Sequence, residues 1–228
     1  MQPYYLPYIG YFQLINEVDK FVIYDNIQYT KIGWINRNRF LQNGIDYLFT
    51  IPLRKGSDYL NINQRKLSDN SIDIRKKILR QINNNYRKAR YFDSIFPIIE
   101  NCLLLDETNL FEYVYSSILM IMKKLDIKTE VIISSTVNID HNLKGQDKVI
   151  AICKEIGCID YINSIGGQSL YNKGTFINSR INLKFIKTNE INYKQFDNKF
   201  VPWLSIIDVM MFNSKIEIQN MLKEYRIL

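Results

Sequence analysis

Hydrophobic and polar positions along the chain follow two patterns, and together they predict an α/β protein. Short continuous apolar runs between polar residues are typical of strands that are buried on both faces. Strands are expected at 20–24, 46–53, 59–66, 129–133, 160–162 and 181–187. Apolar residues at about every third or fourth position predict helices instead. Helices are expected within 9–17 and at 71–90, 93–105, 108–125, 145–156, 205–212 and 216–225.

The order of these elements indicates how the fold is organised. Strands alternate with helices after residue 125, which is the order of a parallel sheet. We therefore expect a mostly parallel, Rossmann-like sheet, with a nucleotidyltransferase-like arrangement as its variant. Gly44 is expected to turn a hairpin, and 71–125 to form a helical subregion. The sequence shows no repeat and no low-complexity linker, so we expect one domain over 1–228.

Composition excludes several classes of chemistry. One histidine and three cysteines without a C-x-x-C pair cannot supply a usual zinc centre, so no metal site is expected. The odd, sparse cysteines indicate a reducing compartment, and no apolar run approaches the roughly 18 residues that a membrane span needs. Met1-Gln2-Pro3 does not resemble a signal peptide. We expect a soluble cytoplasmic protein, of an oligomeric state that the sequence leaves open.

The net charge of +7 admits more than one kind of partner. A nucleotide, a nucleotide sugar or RNA would suit it, and so would a purely solubilising role. Much of the charge lies on the predicted helix 71–90, between Arg75 and Arg90. We favour the solvated face of an amphipathic helix there, because charge runs are common on exposed faces. Nucleic acid is therefore not expected as a partner, although tRNA stays open as a donor of an aminoacyl group.

Four segments near predicted strand ends are candidate binding sites, since open parallel sheets bind ligands at such ends. In 2–12, two prolines and Gly10 fix a loop that would bring a phosphate to a helix N-terminus. In 32–40, Arg37 and two asparagines stand beside the aromatic plate of Trp34, as a nucleobase or sugar site needs. An aromatic-rich structural turn explains the first segment about equally well, and a structural arginine in a surface hairpin is the alternative for the second.

The other two segments offer donors for an anion. Gly166-Gly167 follows a short strand and could form a nest of backbone N–H groups, although a plain turn is more common. Ser134 and Ser135 could donate hydroxyls to a phosphate, or merely cap a strand. The candidate binding residues of the four segments are Gln2, Tyr4, Tyr8, Gly10, Tyr11, Trp34, Asn36, Asn38, Ser134, Ser135, Asn163, Gly166, Gly167 and Tyr171.

Two carboxylates and the single imidazole are candidates for acid or base chemistry. Asp25 follows the first buried run, and Asp208 lies in a Leu-Ser-Ile-Ile-Asp stretch. Either could act as a base or orient a substrate ammonium, and either could be a helix cap or a salt-bridge partner. His141 lies in a polar loop, where a lone histidine is more often structural than catalytic. Together with Arg37, these three are the candidate catalytic residues.

Motifs spread over nearly the whole chain match those of one bacterial family. They are Gln2-Pro-Tyr-Tyr-Leu-Pro-Tyr-Ile-Gly-Tyr-Phe, the strand ending in Asp25, Trp34-Ile-Asn-Arg-Asn38, Thr50-Ile-Pro52, Asp160-Tyr-Ile-Asn163 with Gly166-Gly167, Leu170-Tyr171 and Leu204-Ser-Ile-Ile-Asp208. In these motifs the chain resembles the WbqC-like family. Its members are found among genes for O-antigen and other surface polysaccharides, so the resemblance implies a role in making or decorating an unusual sugar. It also implies a first strand ahead of Gln2: either translation starts upstream of Met1 or this strand is short.

A second, weaker similarity concerns Tyr8-Ile-Gly10-Tyr11. In nucleotidyltransferases and adenylate-forming enzymes, an H-x-G-H motif at a helix start holds the phosphates of ATP, and here tyrosine stands in both histidine positions. Tyrosine, with a pKa of about 10, is a neutral donor and stabilises developing charge less than imidazolium. A chance match explains so short a pattern equally well.

The residues and the resemblance together predict a transferase or ligase of surface-polysaccharide synthesis. It would attach an acyl or aminoacyl group, from a small carboxylic or amino acid, to the amine of a nucleotide-linked amino sugar. One route would use ATP with Mg²⁺ to adenylate the carboxylate before the amine attacks, which mainly requires positioning and charge stabilisation. The alternatives are a nucleotidyltransferase or glycosyltransferase of the same pathway, and a non-catalytic binding subunit.

Overall fold

Helices and strands follow one another largely as the hydrophobic pattern predicts, and the mixed α/β class is confirmed. The computed structural model describes residues 1–197 and 199–228. The helices are α1 (Ile9–Glu17), α2 (Ser71–Tyr86), α3 (Phe92–Leu104), α4 (Leu110–Leu125), α5 (Gly145–Glu155), α6 (Lys173–Asn178), α7 (Ile206–Phe212) and α8 (Lys215–Met221). The strands are β1 (Lys20–Ile23), β2 (Arg37–Gln42), β3 (Ile45–Thr50), β4 (Glu130–Ile133), β5 (Asp160–Ser164), β6 (Asn182–Thr188) and β7 (Tyr225–Ile227). Within the described ranges, no helix is long and apolar enough to cross a membrane.

The strands form three small sheets in the described part of the chain, in place of the one mostly parallel sheet expected from the sequence. β1 pairs with β4 in parallel. β5 and β6 are also parallel, and β7 adds to β6 in the antiparallel direction. β2 and β3 form a separate hairpin that turns at Asn43-Gly44, where both residues have the positive φ that tight hairpins favour. The parallel pairing is confirmed, whereas a Rossmann-like or nucleotidyltransferase-like sheet is not.

A cavity lies between the two parallel pairs, which do not merge into one sheet. β1, β5 and α5 line this space of about 550 Å³, and Met1 lies in its wall. The Met1 amino group donates to Val22 O at 2.7 Å, and Met1 O accepts from Tyr24 N at 2.9 Å. These bonds join Met1 to the residues on either side of Ile23, the last residue of β1, which is the pattern of parallel pairing. Gln2 therefore leaves the sheet at the same end as Asp25.

Two hydrophobic cores support the layers. The larger one is built around the aromatic rings of α1, α4 and the hairpin; in it, Tyr5 and Tyr113 share a buried hydrogen bond of 2.7 Å between their hydroxyls. The smaller one lies where α5 and α6 cover β6, around the fully buried Phe176. Arg75 of α2, expected on a solvated face, is instead buried; it donates to the carbonyls of Leu103 and Leu105. Its guanidinium therefore has a structural role.

The segment 59–66 is not a strand. Residues Ile62–Gln64 form a short 3₁₀ helix, because the side chains of Asn61 and Gln64 each satisfy a backbone N–H of the other. This reciprocal capping stabilises a turn where an extended segment was expected. The sequence also did not predict α6 or β7, which are both short.

Gly157 ends α5 as predicted, with a φ of +70°. A Cβ there would meet nothing within 4 Å, so a side chain would be opposed by backbone conformation alone. We expect Gly157→Ala to lower the free energy of unfolding by about 1 kcal/mol, as measured by urea denaturation. Gly166→Ala is the matched control, because Gly166 has equally open surroundings without a positive φ. Equal stability of the two variants would contradict a requirement for glycine at the end of α5.

Candidate functional site

A group of polar side chains lies at the carboxyl ends of the parallel neighbours β1 and β4. At its centre, the Asp25 carboxylate is 3% exposed. Its Oδ1 accepts from Ser134 Oγ and from Ser135 N, both at 2.9 Å, and its Oδ2 accepts from Asn63 Nδ2 at 2.8 Å. We call this group the Asp25 cluster; its members are Asp25, Asn26, Asn63, Ser134, Ser135, His141 and Lys148.

The Asp25 carboxylate is held in its charged form. Burial alone would raise the pKa of Asp25, but the hydrogen bonds from Ser135, Ser134 and Asn63 outweigh burial and hold the pKa below its usual value. Asn63 reaches the carboxylate because the 3₁₀ helix Ile62–Gln64 turns there, and its backbone N–H donates to Asp25 O at 3.0 Å. The cluster therefore has a fixed negative charge at neutral pH.

Asn26 connects Ser134 to a lysine and a histidine. Its Oδ1 accepts from Lys148 Nζ at 3.1 Å and lies 2.8 Å from Ser134 Oγ, whose single hydrogen is shared between this oxygen and Asp25 Oδ1. Because Oδ1 faces these two donor groups, Nδ2 is left to donate to His141 Nδ1, which lies at 2.9 Å. A neutral histidine that accepts at Nδ1 carries its hydrogen on Nε2. The exposed His141 ring is thereby set to donate from Nε2 to a ligand.

Lys148 is not among the residues predicted from the sequence. It lies in the second turn of α5, is 5% exposed, and its ammonium is 5.8 Å from the centre of the Tyr24 ring. Burial lowers the pKa of Lys148, and the negative charge of Asp25 opposes that shift. One sequence signal was present: Lys148 is four residues before the buried Ile152, on the apolar face of α5.

A wall of tyrosines adjoins the Asp25 cluster at the carboxyl end of β5. Asn163 Nδ2 donates to the hydroxyls of Tyr161 at 3.1 Å and Tyr171 at 2.8 Å. Tyr24 packs against the same hydrophobic group and also faces Lys148. Burial raises the pKa of Tyr24 and Tyr161, so both keep their hydroxyl hydrogens. This wall offers neutral hydrogen-bonding groups beside the charges of the cluster.

The two glycines of the predicted anion nest differ from each other. Residues Ile165–Leu170 form a 3₁₀ helix. A Cβ on Gly167 would come within 3.1 Å of Asn163 Nδ2, so the absence of a side chain there lets Asn163 reach its tyrosines. Gly166 is exposed, and a Cβ on it would meet nothing within 4 Å. Gly167 thus supports the tyrosine wall, while anion binding at Gly166 stays a prediction.

Asn36 and Asn38 are buried and satisfied by the backbone. Asn36 Nδ2 donates to Ile51 O at 2.7 Å. Asn38 Nδ2 donates to Tyr5 O at 3.0 Å and to Leu6 O at 2.9 Å. Leu6 has a φ of +43°, which is strained for a residue with a side chain. Asn38 therefore fixes the loop ahead of α1. Asn36 instead fixes the residue after β3 and accepts from Tyr29 Oη at 2.9 Å, so the polar groups of both asparagines are already used.

Arg37 and Trp34 lie on the hairpin side of the molecule. Arg37 Nε donates to Gly33 O at 2.9 Å, and its guanidinium also contacts Ile32 O. The guanidiniums of Arg37 and Arg39 lie 5.6 Å and 5.2 Å from the Trp34 ring centre. In the described residues, no hydrogen bond or salt bridge joins Arg37 to the Asp25 cluster. Their role in nucleobase or sugar binding stays a prediction.

The tyrosine-rich loop 2–12 occupies the space next to Gly10, where a phosphate was expected from the sequence. A Cβ on Gly10 would lie 2.3 Å from the ring of Tyr8, so that ring covers the start of α1. Tyr11 is buried and donates its hydroxyl to Gln2 O at 3.0 Å. The ring of Tyr4 packs on that of Tyr11 with 5.6 Å between their centres. Gly10 thus accommodates Tyr8 in this conformation and does not present α1 to a ligand.

Asp208 lies in the core, away from the Asp25 cluster. It is 0% exposed and accepts from Tyr86 Oη at 2.7 Å, Tyr193 Oη at 2.6 Å and Gln195 Nε2 at 2.6 Å. Burial raises the pKa of Asp208, although the three donors oppose that shift. A substrate amine does not reach this carboxylate in the conformation described here. Its contacts instead hold the segment around Tyr193 against α7.

The structure brings together only part of the predicted site. Asp25, Ser134, Ser135 and His141 meet in the Asp25 cluster, and Asn163, Gly167 and Tyr171 form the adjoining wall. Asn26, Asn63 and Lys148 were missed, because they enter the cluster through contacts between distant parts of the chain. Across residues 1–197 and 199–228, no three histidine, cysteine, aspartate or glutamate side chains are grouped as metal ligands.

Comparisons with known proteins agree over nearly the full length. The pattern of the WbqC-like protein family matches residues 2–220. Rv1507c, an uncharacterised protein of Mycobacterium tuberculosis, is 28% identical over 232 residues, which cover 99% of this chain and 97% of that protein. No solved structure matches the chain. The chain belongs to the WbqC-like protein family, whose members are associated with polysaccharide gene clusters.

Proposed function

We propose that the protein attaches an acyl or aminoacyl group to the amine of a nucleotide-linked amino sugar during surface-polysaccharide synthesis. The observation that supports this most strongly is the Asp25 cluster, where an ionised carboxylate, a buried ammonium and a donating imidazole lie at the ends of two parallel strands. Ligands bind at such ends in open parallel sheets. The neighbouring tyrosine and asparagine side chains suit the hydroxyl groups of a sugar.

Asp25 would bind the substrate as an ammonium. Oδ2 has one donor, Asn63, so one of its lone pairs is left for a hydrogen of the substrate nitrogen. A carboxylate with a lowered pKa is a weak base. We therefore assign Asp25 to holding and orienting the amine, and not to removing its proton.

His141 would stabilise the acyl transfer. When the amine attacks the acyl carbon, negative charge develops on the carbonyl oxygen, and a positioned N–H donor lowers the energy of that state. His141 Nε2 is such a donor, because Asn26 occupies Nδ1. The Asn26 side chain is itself fixed by Ser134 and Lys148. The cluster thus orients the imidazole before the substrate binds.

The ATP-dependent route consists of two chemical steps. A carboxylate oxygen of the donor acid attacks the α-phosphorus of ATP, and pyrophosphate leaves. The sugar ammonium held by Asp25 first loses one proton to solvent. The free amine then attacks the acyl carbon, AMP leaves, and a second proton passes from the new amide nitrogen to solvent. Neither step needs a nucleophile from the protein, so the cluster has only to position substrates and stabilise charge.

Product analysis tests this proposal. Purified protein is incubated with ATP, Mg²⁺, a panel of amino acids and short carboxylic acids, and nucleotide-linked amino sugars; mass spectrometry then detects an amide. We expect one AMP and one pyrophosphate for each amide formed. Pyrophosphate without an amide would identify a nucleotidyltransferase, and a released nucleoside diphosphate a glycosyltransferase. If the protein turns over none of these substrates and calorimetry detects no binding of ATP or the sugar, the enzymatic proposals are wrong. The non-catalytic subunit is then the remaining alternative.

A further inference from the structure

Lys148 is a buried cation whose hydrogen-bond partners are all neutral. Its Nζ donates to Asn26 Oδ1 at 3.1 Å and lies 3.4 Å from Asn26 O. It forms no salt bridge within residues 1–197 and 199–228, although the residue is only 5% exposed. Lysines are almost never so deeply buried unless they are paired. A charge kept in this position at an energetic cost indicates a counter-ion that arrives with a ligand.

Asp25 does not form a direct ion pair with Lys148. Its carboxylate accepts from Ser134, Ser135 and Asn63, and the lone pair left on Oδ2 is the one assigned to the substrate ammonium. It influences Lys148 through its charge, but no hydrogen bond joins the two side chains. An ammonium has three hydrogens, and Asn26 accepts two of them at most, so a third is left for a ligand.

The surroundings of Lys148 favour a phosphate as the ligand group. His141 Nε2 is a second donor, held through the same Asn26 that binds Lys148. Ser135 is an exposed residue of the same cluster, and its backbone N–H donates to Asp25 Oδ1. Phosphate oxygens accept several such bonds at once, and lysine binds phosphate well as a point charge. The Lys148 ammonium also lies 5.8 Å from the centre of the Tyr24 ring, a distance at which the ring face attracts a cation.

We propose that Lys148, with His141 and Ser135, binds a phosphate group of a nucleotide at the Asp25 cluster. The inference rests on the proposed function for the source of that phosphate, which is either ATP or the nucleotide of the sugar. Lys148 would be a binding residue that neutralises the phosphate charge and sets the distance from the nucleotide to Asp25. The positive side chain would then have a directly bonded counter-ion, which no side chain in the described residues provides.

Calorimetric titration with inorganic diphosphate, ATP and UDP tests this inference without any acyl donor or amino sugar. We expect Lys148→Met to weaken diphosphate binding by at least about tenfold, and Lys148→Arg to retain most of it. The nucleotide, ATP or UDP, whose affinity falls together with that of diphosphate identifies the source of the phosphate. Lys154→Met is the matched control, since Lys154 is exposed on the same helix and carries the same charge. It is expected to bind as the wild type does.

Folding and binding are separated by thermal unfolding of the same variants. Lys148→Met is expected to be at least as stable as the wild type, because methionine fills a similar volume without a buried charge. If Lys148→Met binds diphosphate, ATP and UDP as tightly as the wild type, or the wild type binds none of them, the inference is wrong. Amide formation at the wild-type rate by Lys148→Met would overturn the inference alone. Lysine-dependent diphosphate binding without any amide product would overturn the proposed function alone.

Discussion

Replacing Asp208 with alanine is expected to lower the free energy of unfolding by about 3 kcal/mol, because three buried donors lose their shared acceptor. Tyr86, Tyr193 and Gln195 all donate to this carboxylate at 2.7 Å or less. In the variant, two hydroxyls and an amide would stay buried without that partner. Urea denaturation followed by circular dichroism measures the change.

Two further variants separate this network from a general loss of charge. Asp208→Asn keeps the shape and one acceptor oxygen, so we expect a smaller loss of roughly 1–2 kcal/mol. Asp197→Ala removes an exposed carboxylate of the same segment and is expected to change the stability by less than about 0.5 kcal/mol. An Asp208→Ala variant within about 0.5 kcal/mol of the wild type would show that Asp208 does not hold this part of the fold.

The Asp208 network joins elements that are far apart in the sequence. Tyr86, at the end of α2, donates to Asp208 and also accepts from Leu41 N at 2.7 Å. Gln195 donates to Asp208 and to Val201 O at 3.0 Å. One carboxylate therefore fixes α7 against α2, against β2 and against the segment before it. This accounts for a buried charge without requiring a substrate.

Residues whose positions follow from local pattern were predicted well. The apolar runs that end at Asp25 and Ser134 place both at the carboxyl ends of strands, and the parallel pairing of β1 with β4 brings them together. The end of α5 at Gly157 follows equally directly, since the positive φ there suits glycine. Such features depend on a few residues that are neighbours in the sequence, so they can be predicted from it.

Features that depend on distant contacts could not be predicted. Asn63 reaches Asp25 only because Asn61 and Gln64 cap a 3₁₀ helix where a strand was expected. Lys148 is one of 30 lysines and arginines, and only the packing of α5 buries it. Asp208 shows the converse case. An aspartate after an apolar run looks the same in sequence whether it faces a ligand or three buried donors.

The arrangement of the strands shows the same limit at a larger scale. The alternation of strands and helices predicted parallel pairing, which is present in β1–β4 and β5–β6. It contained no information on the cavity between β1 and β5, where the two pairs stay separate. The order of strands in a sheet depends on the side chains that cover the two faces of that sheet. These side chains come from helices that are distant in the sequence.

Asp25→Asn is expected to lower amide formation by about a hundredfold, because the variant keeps the shape of the side chain but loses the charge that holds the substrate ammonium. Initial rates with the acid and sugar pair found by product analysis measure this effect. Asp19→Asn is the matched control, since Asp19 is an exposed carboxylate just before the opposite end of β1. It is expected to react at the wild-type rate. If Asp25→Asn forms the amide at the wild-type rate, Asp25 does not hold the substrate ammonium.

The same substitution has a second, pH-dependent result that does not rely on activity. The pKa of Asp25 is lowered on folding, so its charge stabilises the protein above the unfolded value of about 3.8, and this contribution is lost as the pH falls through the folded pKa. We expect Asp25→Asn to be less stable than the wild type by about 2 kcal/mol at pH 7. The difference should shrink below about pH 3.8, whereas Asp19→Asn should follow the wild type throughout. A gap between the wild type and Asp25→Asn that stayed constant from pH 7 to pH 3 would mean that Ser134, Ser135 and Asn63 do not stabilise the charged carboxylate.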